Sequence, residues 1–247
     1  VDIMMDYSHL TTEKANPASR GLDEMSTPEI LWIINDDFRV IADVVDSALP
    51  DIGKAVDLIV EKLSQGGSVL YVGAGTSGRL GILDAVECPP TFGVGQDVFS
   101  AVIAGGSGAV FEAVEGAEDD ESMGAIDVGQ RVDCSSVVVG ISASGTTPYM
   151  LGGLREAKRR KAATVAVVCN QKDKLDLDVD VVIALPVGPE VVAGSTRMKA
   201  GSAQKLVLNM LSTASMIRLG KVYDNYMVDM QPTNRKLRDR AIRIVSM

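Results

Sequence analysis

From Val69 onward the chain alternates short, largely apolar runs with stretches whose apolar positions recur at helical spacing. The runs are Val69–Val72, Val98–Ile103, Val137–Ile141, Thr164–Val168 and Val181–Leu185. Runs of this kind fit strands buried on both faces, as in a parallel sheet covered by helices. Between them the spacing predicts helices over Ser77–Val86, Ala109–Ala113 with a continuation near Glu121–Gly129, and Pro148–Arg160. A long helix, Lys199–Leu219, follows the last run, and the charged tail Thr233–Met247 also reads as helical. Ahead of the sheet, Ser26-Thr27-Pro28-Glu29 carries a hydroxyl cap, an early proline and an early acid, the signature of a helix start. Ile30, Ile33, Ile34, Ile41, Val44 and Val45 continue that helix, Pro50 is expected to break it, and a second helix, Ile52–Leu63, ends at Gln65-Gly66-Gly67. The expected architecture is α/β: a three-layer, five-stranded parallel sheet flanked by helices, with an N-terminal helical extension. The expected divisions are 1–50 (tail and helix), 51–224 (the α/β domain) and 225–247 (the start of a C-terminal helical region).

Composition narrows the function. A hydrophobic share of 46% with only 4% aromatics gives a large aliphatic core in a chain of 247 residues. The net charge of −9 argues against nucleic acid, whose phosphate backbone calls for a basic face. No apolar run approaches the roughly 18 residues of a membrane span, and Val1–Arg20 lacks the basic start and apolar stretch of a signal peptide. Cys88, Cys134 and Cys169 are scattered and odd in number, so they read as reduced, buried, structural thiols of a cytoplasmic protein. The single histidine, His9, lies in a polar segment expected to fray, which leaves no His-based triad or multi-histidine metal site within one chain. Acid–base chemistry then falls to carboxylates, lysine, tyrosine or water.

The most informative stretch is Val72-Gly73-Ala74-Gly75-Thr76-Ser77-Gly78, where an apolar run enters a glycine-rich turn that opens a helix. Such a turn brings backbone N–H groups and the positive end of a helix to one spot, a natural phosphate cradle. Two more turns rich in small hydroxyl residues follow later strands or open helices: Ser142-Ala143-Ser144-Gly145-Thr146-Thr147-Pro148 and Gly194-Ser195-Thr196-Arg197-Met198-Lys199. In parallel sheets ligands collect at the carboxyl ends of the strands, where these turns belong. The Gly73-x-Gly75-x-x-Gly78 spacing also matches a dinucleotide fingerprint. That fold wants an acid closing the second strand, and here Ala104-Gly105-Gly106 stands in its place. Nor is it a Walker loop, since no Lys-Ser/Thr follows the glycines. Ser77, Ser142, Ser144 and Thr146 suit both helix capping and a phosphate monoester, because the two uses share one geometry. Arg197 and Lys199 are either anion partners or residues of an exposed first turn.

Two carboxylate features stand out. Glu87, in Glu87-Cys88-Pro89-Pro90, is placed near the C-terminal end of a helix that the two prolines are expected to stop, where the dipole disfavours a charged carboxylate and suits a general acid; the bland alternative is a solvated glutamate. Glu112, Glu115, Glu118, Asp119, Asp120 and Glu121 form an acidic run that reads as a solvated face or, around Glu118, as a pocket wall bearing a base.

Taken together, Val72–Pro90 through Phe92-Gly93, Ala104-Gly105-Gly106, Val114–Asp119, Ser142–Tyr149 and Gly194–Asn209 resemble the N-acetylmuramic acid 6-phosphate etherases, which are built on the sugar isomerase (SIS) fold. The glucokinase regulatory protein is a more distant relative sharing the glycine-rich blocks. The resemblance implies cleavage of a D-lactyl ether on a sugar 6-phosphate by elimination and rehydration, releasing D-lactate, with neither metal nor redox cofactor. It places the acidic pair on Glu87, as proton donor, and Glu118, as base, with the roles exchangeable. It assigns phosphate and sugar contacts to Gly75, Thr76, Ser77, Gly78, Ser142, Ser144, Gly145, Thr146, Ser195, Thr196 and Lys199. It further implies a homodimer with the site near the subunit boundary. Two departures stand out: Thr146 replaces a basic residue of many members, and the family runs on past Met247. An aldose–ketose isomerase and a non-catalytic sugar-phosphate sensor remain as alternatives on the same fold.

Overall fold

In the computed structural model, residues 10–232 and 235–246 are described, and His9 lies outside them. Five strands, β1 (Val69–Gly73), β2 (Phe99–Ile103), β3 (Val137–Ser142), β4 (Ala163–Val168) and β5 (Val181–Ala184), form one sheet in the order β2-β1-β3-β4-β5. Every pairing is parallel. Among the described residues seven α-helices accompany it: α1 (Thr27–Asp37), α2 (Val40–Ser64), α3 (Gly75–Phe92), α4 (Glu121–Gly129), α5 (Pro148–Arg159), α6 (Lys199–Arg218) and α7 (Arg235–Val245).

The central strands are buried on both faces because alternate side chains enter different layers. Tyr71, Val139, Ile141, Val165 and Val167 pack with Ile52, Val56 and Ile59 of α2 and Val207 and Leu211 of α6. Leu70, Val72, Val138, Ala166 and Val168 face the opposite way, onto Val128 of α4 and Tyr149, Met150 and Leu154 of α5. This is the expected three-layer arrangement. No helix among the described residues is long and apolar enough to cross a membrane.

Three expectations are corrected. Pro50 does not break a helix, since α2 runs through it and the interruption falls at Phe38–Arg39. Pro50 and Asp46, whose carbonyl loses its helical donor, both lie on the exposed side of the helix. The buried seam Val45, Ala48, Ile52, Ala55 and Ile59 continues across the proline and holds the helix together. Likewise Pro89 and Pro90 lie inside α3, anchored by buried Cys88 and Phe92. The helix ends instead at Gly93, whose φ of 66° suits glycine and whose N–H donates to the Pro89 carbonyl at 2.9 Å. Finally, the helix expected over Ala109–Ala113 is a single 3-10 turn, Ser107–Val110, following Gly105 and Gly106 at positive φ.

From Leu10 onward the described chain is tied to the sheet domain. Asn170, just past β4, accepts at Oδ1 from the Thr11 backbone at 2.9 Å and the Thr11 hydroxyl at 2.7 Å. Its Nδ2 donates to Thr12 Oγ1 and to the carbonyls of Ala143 and Ser144. One side chain thereby stitches the start of the described chain to the turn after β3. Short 3-10 turns, Thr11–Glu13, Pro17–Ser19 and Leu22–Glu24, precede α1. Cys88 and Cys169 are buried as expected, and burial pushes the Cys88 thiol up to about 12. Cys134 is exposed instead, in the polar turn that leads into β3.

Candidate functional site

A cleft of about 370 Å³ opens at the carboxyl ends of β1 and β3. These two strands are neighbours from which the chain departs to opposite sides of the sheet, the switch point where such sheets bind ligands. One wall is the β1–α3 turn, with Ala74, Gly75, Thr76 and Ser77. No side chain caps the N-terminus of α3, so its first turn presents backbone N–H groups to the cleft. The tightness of this turn depends on Gly78, where a Cβ would meet Ile103 Cγ1 at 2.6 Å and the Gly73 carbonyl oxygen at 2.8 Å.

The second wall is the β3–α5 turn, a web of hydroxyls. Ser142 Oγ lies 2.8 Å from Thr147 Oγ1 and 3.2 Å from Ser144 Oγ, and it accepts the Gly145 N–H at 3.0 Å. The Thr146 hydroxyl donates to Ser144 Oγ at 3.0 Å. The web fixes the turn's shape and leaves Ser142, Ser144, Thr146 and Thr147 lining the cleft. Gly194 and Thr196, ahead of α6, and Leu10 and Glu13 from the N-terminal segment close it.

Glu118 and Asp119 stand at the rim on the 3-10 turn Ala117–Asp119. Glu118 also borders a smaller hollow of about 200 Å³ with Arg79, Val114 and Glu115. The Arg79 guanidinium donates to the carbonyls of Val110 and Glu112, each at 3.1 Å, and pins the loop that leads to Glu118 against α3.

The candidates drawn from the sequence divide clearly. Gly75, Thr76, Ser77, Ser142, Ser144, Thr146, Thr196 and Glu118 line the one cleft. Gly78 and Gly145 shape its walls without lining it, and Ser195 and the exposed Arg197 lie beyond its lining. Lys199 points elsewhere: its ammonium donates to Asp37 Oδ1 at 2.8 Å and to the Pro189 carbonyl at 3.0 Å, at 3% side-chain exposure. Beside it, Glu190 accepts the Lys199 and Ala200 N–H groups and caps α6. Lys199 is therefore tied into a buried ion pair rather than offered to an anion.

Glu87 is exposed on α3, near the C-terminal end of the helix as expected, and it does not line the cleft of its own chain. It lies ten residues beyond Ser77 on one helix, about 15 Å along the axis.

The sequence reading missed Leu10, Glu13, Asp119 and Thr147 in the lining, and the buried partner of Ser77, Gln204. For the N-terminal wall a signal was present in Thr11-Thr12-Glu13, two hydroxyls beside a carboxylate ahead of Asn16-Pro17.

The sheet order, the switch-point cleft and its hydroxyl-rich turns define a sugar isomerase (SIS) domain. Residues 51–158 match the model of the glucokinase regulatory protein N-terminal SIS domain. Among solved structures, a phosphoheptose isomerase from Francisella tularensis superposes with a TM-score of 0.57 at 17% identity, over 78% of this chain and 100% of that one. The family follows from much closer relatives. N-acetylmuramic acid 6-phosphate etherases of Symbiobacterium thermophilum and Serratia proteamaculans are 56% and 52% identical, each over 98% of this chain and over 80% and 82% of their own length. That of Mycolicibacterium smegmatis is 52% identical, over 98% of this chain and 81% of its own. The chain belongs to the N-acetylmuramic acid 6-phosphate etherases.

Proposed function

We propose that this chain is a carbon–oxygen lyase that cleaves the D-lactyl ether of N-acetylmuramic acid 6-phosphate, giving N-acetylglucosamine 6-phosphate and D-lactate. The observation that carries the reading is the seating of Glu118 on the rim of a cleft walled by two serine-bearing turns. The phosphate lies against the N–H groups of Gly75–Ser77 and the hydroxyls of Ser142, Ser144 and Thr146, which directs the sugar toward Glu118. In the open-chain form the C1 aldehyde acidifies the C2 proton. Glu118 takes that proton, the C2–C3 double bond forms, and the C3–oxygen bond breaks as the lactyl oxygen is protonated. Addition of water, hydroxyl to C3 and hydrogen to C2, completes the product.

Glu87 is the proton donor in this reading, and it comes from a second copy. The span from Ser77 to Glu87 within one helix exceeds a hexose phosphate, so the two glutamates meet over one sugar only across a subunit boundary. Leu83 and Val86, 46% and 58% exposed beside Glu87, give that face of α3 an apolar surface for a homodimer. The working unit in this reading is a cytoplasmic homodimer, with 51–224 as the SIS domain, 1–50 as an N-terminal tail and helix from which Leu10 and Glu13 reach the cleft, and 225–247 as a C-terminal helical segment.

Lactate release from N-acetylmuramic acid 6-phosphate tests the activity. Glu87→Gln and Glu118→Gln each lose at least about a hundredfold in kcat. Mixed and re-equilibrated, the two inactive variants recover about a quarter of wild-type activity, because half of the dimers are mixed and each has one intact site of two. A wild-type protein that isomerises the sugar phosphate without releasing lactate would overturn the reaction. Failure of the mixture to regain activity would overturn the shared site.

A further inference from the structure

We infer that Gln204 is a positioning residue that turns the hydroxyl hydrogen of Ser77 toward bound phosphate. This rests on the reading of Ser77 as a phosphate contact and extends it to a residue outside the cleft.

Gln204 lies near the start of α6 and is fully buried. The helix is brought close to the phosphate turn at Gly201, where a Cβ would come within 3.3 Å of Thr76 Cγ2. Ser77 Oγ donates to Gln204 Oε1 at 2.9 Å. Gln204 Nε2, equally buried, is one of three buried side-chain polar atoms among the described residues with no hydrogen-bond partner.

A hydroxyl has a single hydrogen. With that hydrogen given to Gln204, Ser77 shows the cleft only lone pairs, which a phosphate oxygen opposes. A half-turn of the amide exchanges Nε2 and Oε1 without changing the shape of the side chain. Nε2 then donates to Ser77 Oγ, and the Ser77 hydrogen is free to point into the cleft. The unpaired atom becomes a carbonyl oxygen, which tolerates burial better than an unpaired N–H. An anion in the cleft adds a charge-assisted hydrogen bond to this second arrangement alone, and so favours it further. A methionine or leucine would fill the same space with no unpaired polar atom, so packing alone does not account for an amide here.

The test compares Gln204→Met, Gln204→Glu, Ser77→Ala and the Ser77→Ala/Gln204→Met double variant in the full chain. Binding of N-acetylglucosamine 6-phosphate is measured by calorimetry, with thermal unfolding as the check on folding. Gln204→Met weakens binding about tenfold, and Ser77→Ala at least as much. The double variant stays within about twofold of Ser77→Ala, because Gln204 acts through that hydroxyl. Gln204→Glu keeps the acceptor and, ionised at alkaline pH, lacks the donor, and there it loses at least as much affinity as Gln204→Met. Wild-type affinity in Gln204→Met, or in Gln204→Glu at alkaline pH, or losses that multiply independently in the double variant, would overturn the inference while leaving the phosphate site intact. Wild-type affinity in Ser77→Ala would instead remove the phosphate reading beneath it.

Discussion

Lys199 separates a structural from a ligand-binding role by experiment. Its position at the head of α6, behind a Ser-Thr turn, suits a phosphate partner, yet its ammonium is bonded to Asp37 Oδ1 and the Pro189 carbonyl. The pair is buried on both sides, at 3% and 13% side-chain exposure. Lys199→Met keeps most of the side-chain volume and removes the charge. It leaves the Asp37 carboxylate with the Asn16 amide at 3.0 Å as its remaining side-chain donor, and Asp37 Oδ2 has no hydrogen-bond partner even before the change. Removing one partner of a buried pair costs about 3–5 kcal/mol. In a domain of this size 1 kcal/mol moves the midpoint by about 2–4 °C, so Tm falls by about 10 °C. Adding Asp37→Asn, which neutralises the stranded charge, restores part of that loss. Calorimetric unfolding gives Tm, and lactate release assayed well below the transition gives KM, which stays within about twofold of wild type because the side chain does not reach the cleft. A variant with an unchanged Tm and a KM raised tenfold or more would refute the assignment.

Two further outcomes follow from the same kind of accounting. Arg79→Met frees the Val110 and Glu112 carbonyls and loosens the loop that carries Glu118. The expected result in steady-state kinetics is a kcat lower by about ten- to a hundredfold with KM within about threefold, and a raised KM with kcat intact would count against it. Asp84 is held above the usual carboxylate range by burial, against hydrogen bonds from Tyr71, Asn209 and Ser212 that favour its charged form. The folded protein thus keeps this proton after the unfolded chain has lost it, and stability from this group falls as pH rises above about 4. Urea unfolding across pH 4–7 should show that downward contribution in wild type and its absence in Asp84→Asn, and parallel pH profiles would dismiss it.

The strands were legible because each run is short, largely apolar and closed by a glycine, proline or polar residue within two positions. All five fall within a residue or so of expectation, and so does the start of α6. The prolines misled because their local cost is overridden by burial that local pattern does not reveal, as Ala48 and Ile52 do around Pro50. In the site, Ser77, Ser142 and Ser144 were readable as a set since their turns leave neighbouring strands. Glu13 and Gln204 were not, because each enters through contacts more than a hundred residues away in sequence, by way of Asn170 and Ser77 respectively. Lys199 shows the converse: the right residue type in the right turn, claimed by a carboxylate 162 positions earlier.

The cleft is lined by Glu13, Glu118 and Asp119, with no lysine or arginine among its described lining residues, in a chain of net charge −9. A doubly charged metabolite approaching this surface is repelled at long range. Attraction begins only within the last few ångströms, where helix ends and amide hydrogens take hold. Dissolved ions damp the distant repulsion far more than that short-range grip, so capture quickens as ionic strength rises, the reverse of what a lysine-lined funnel would show.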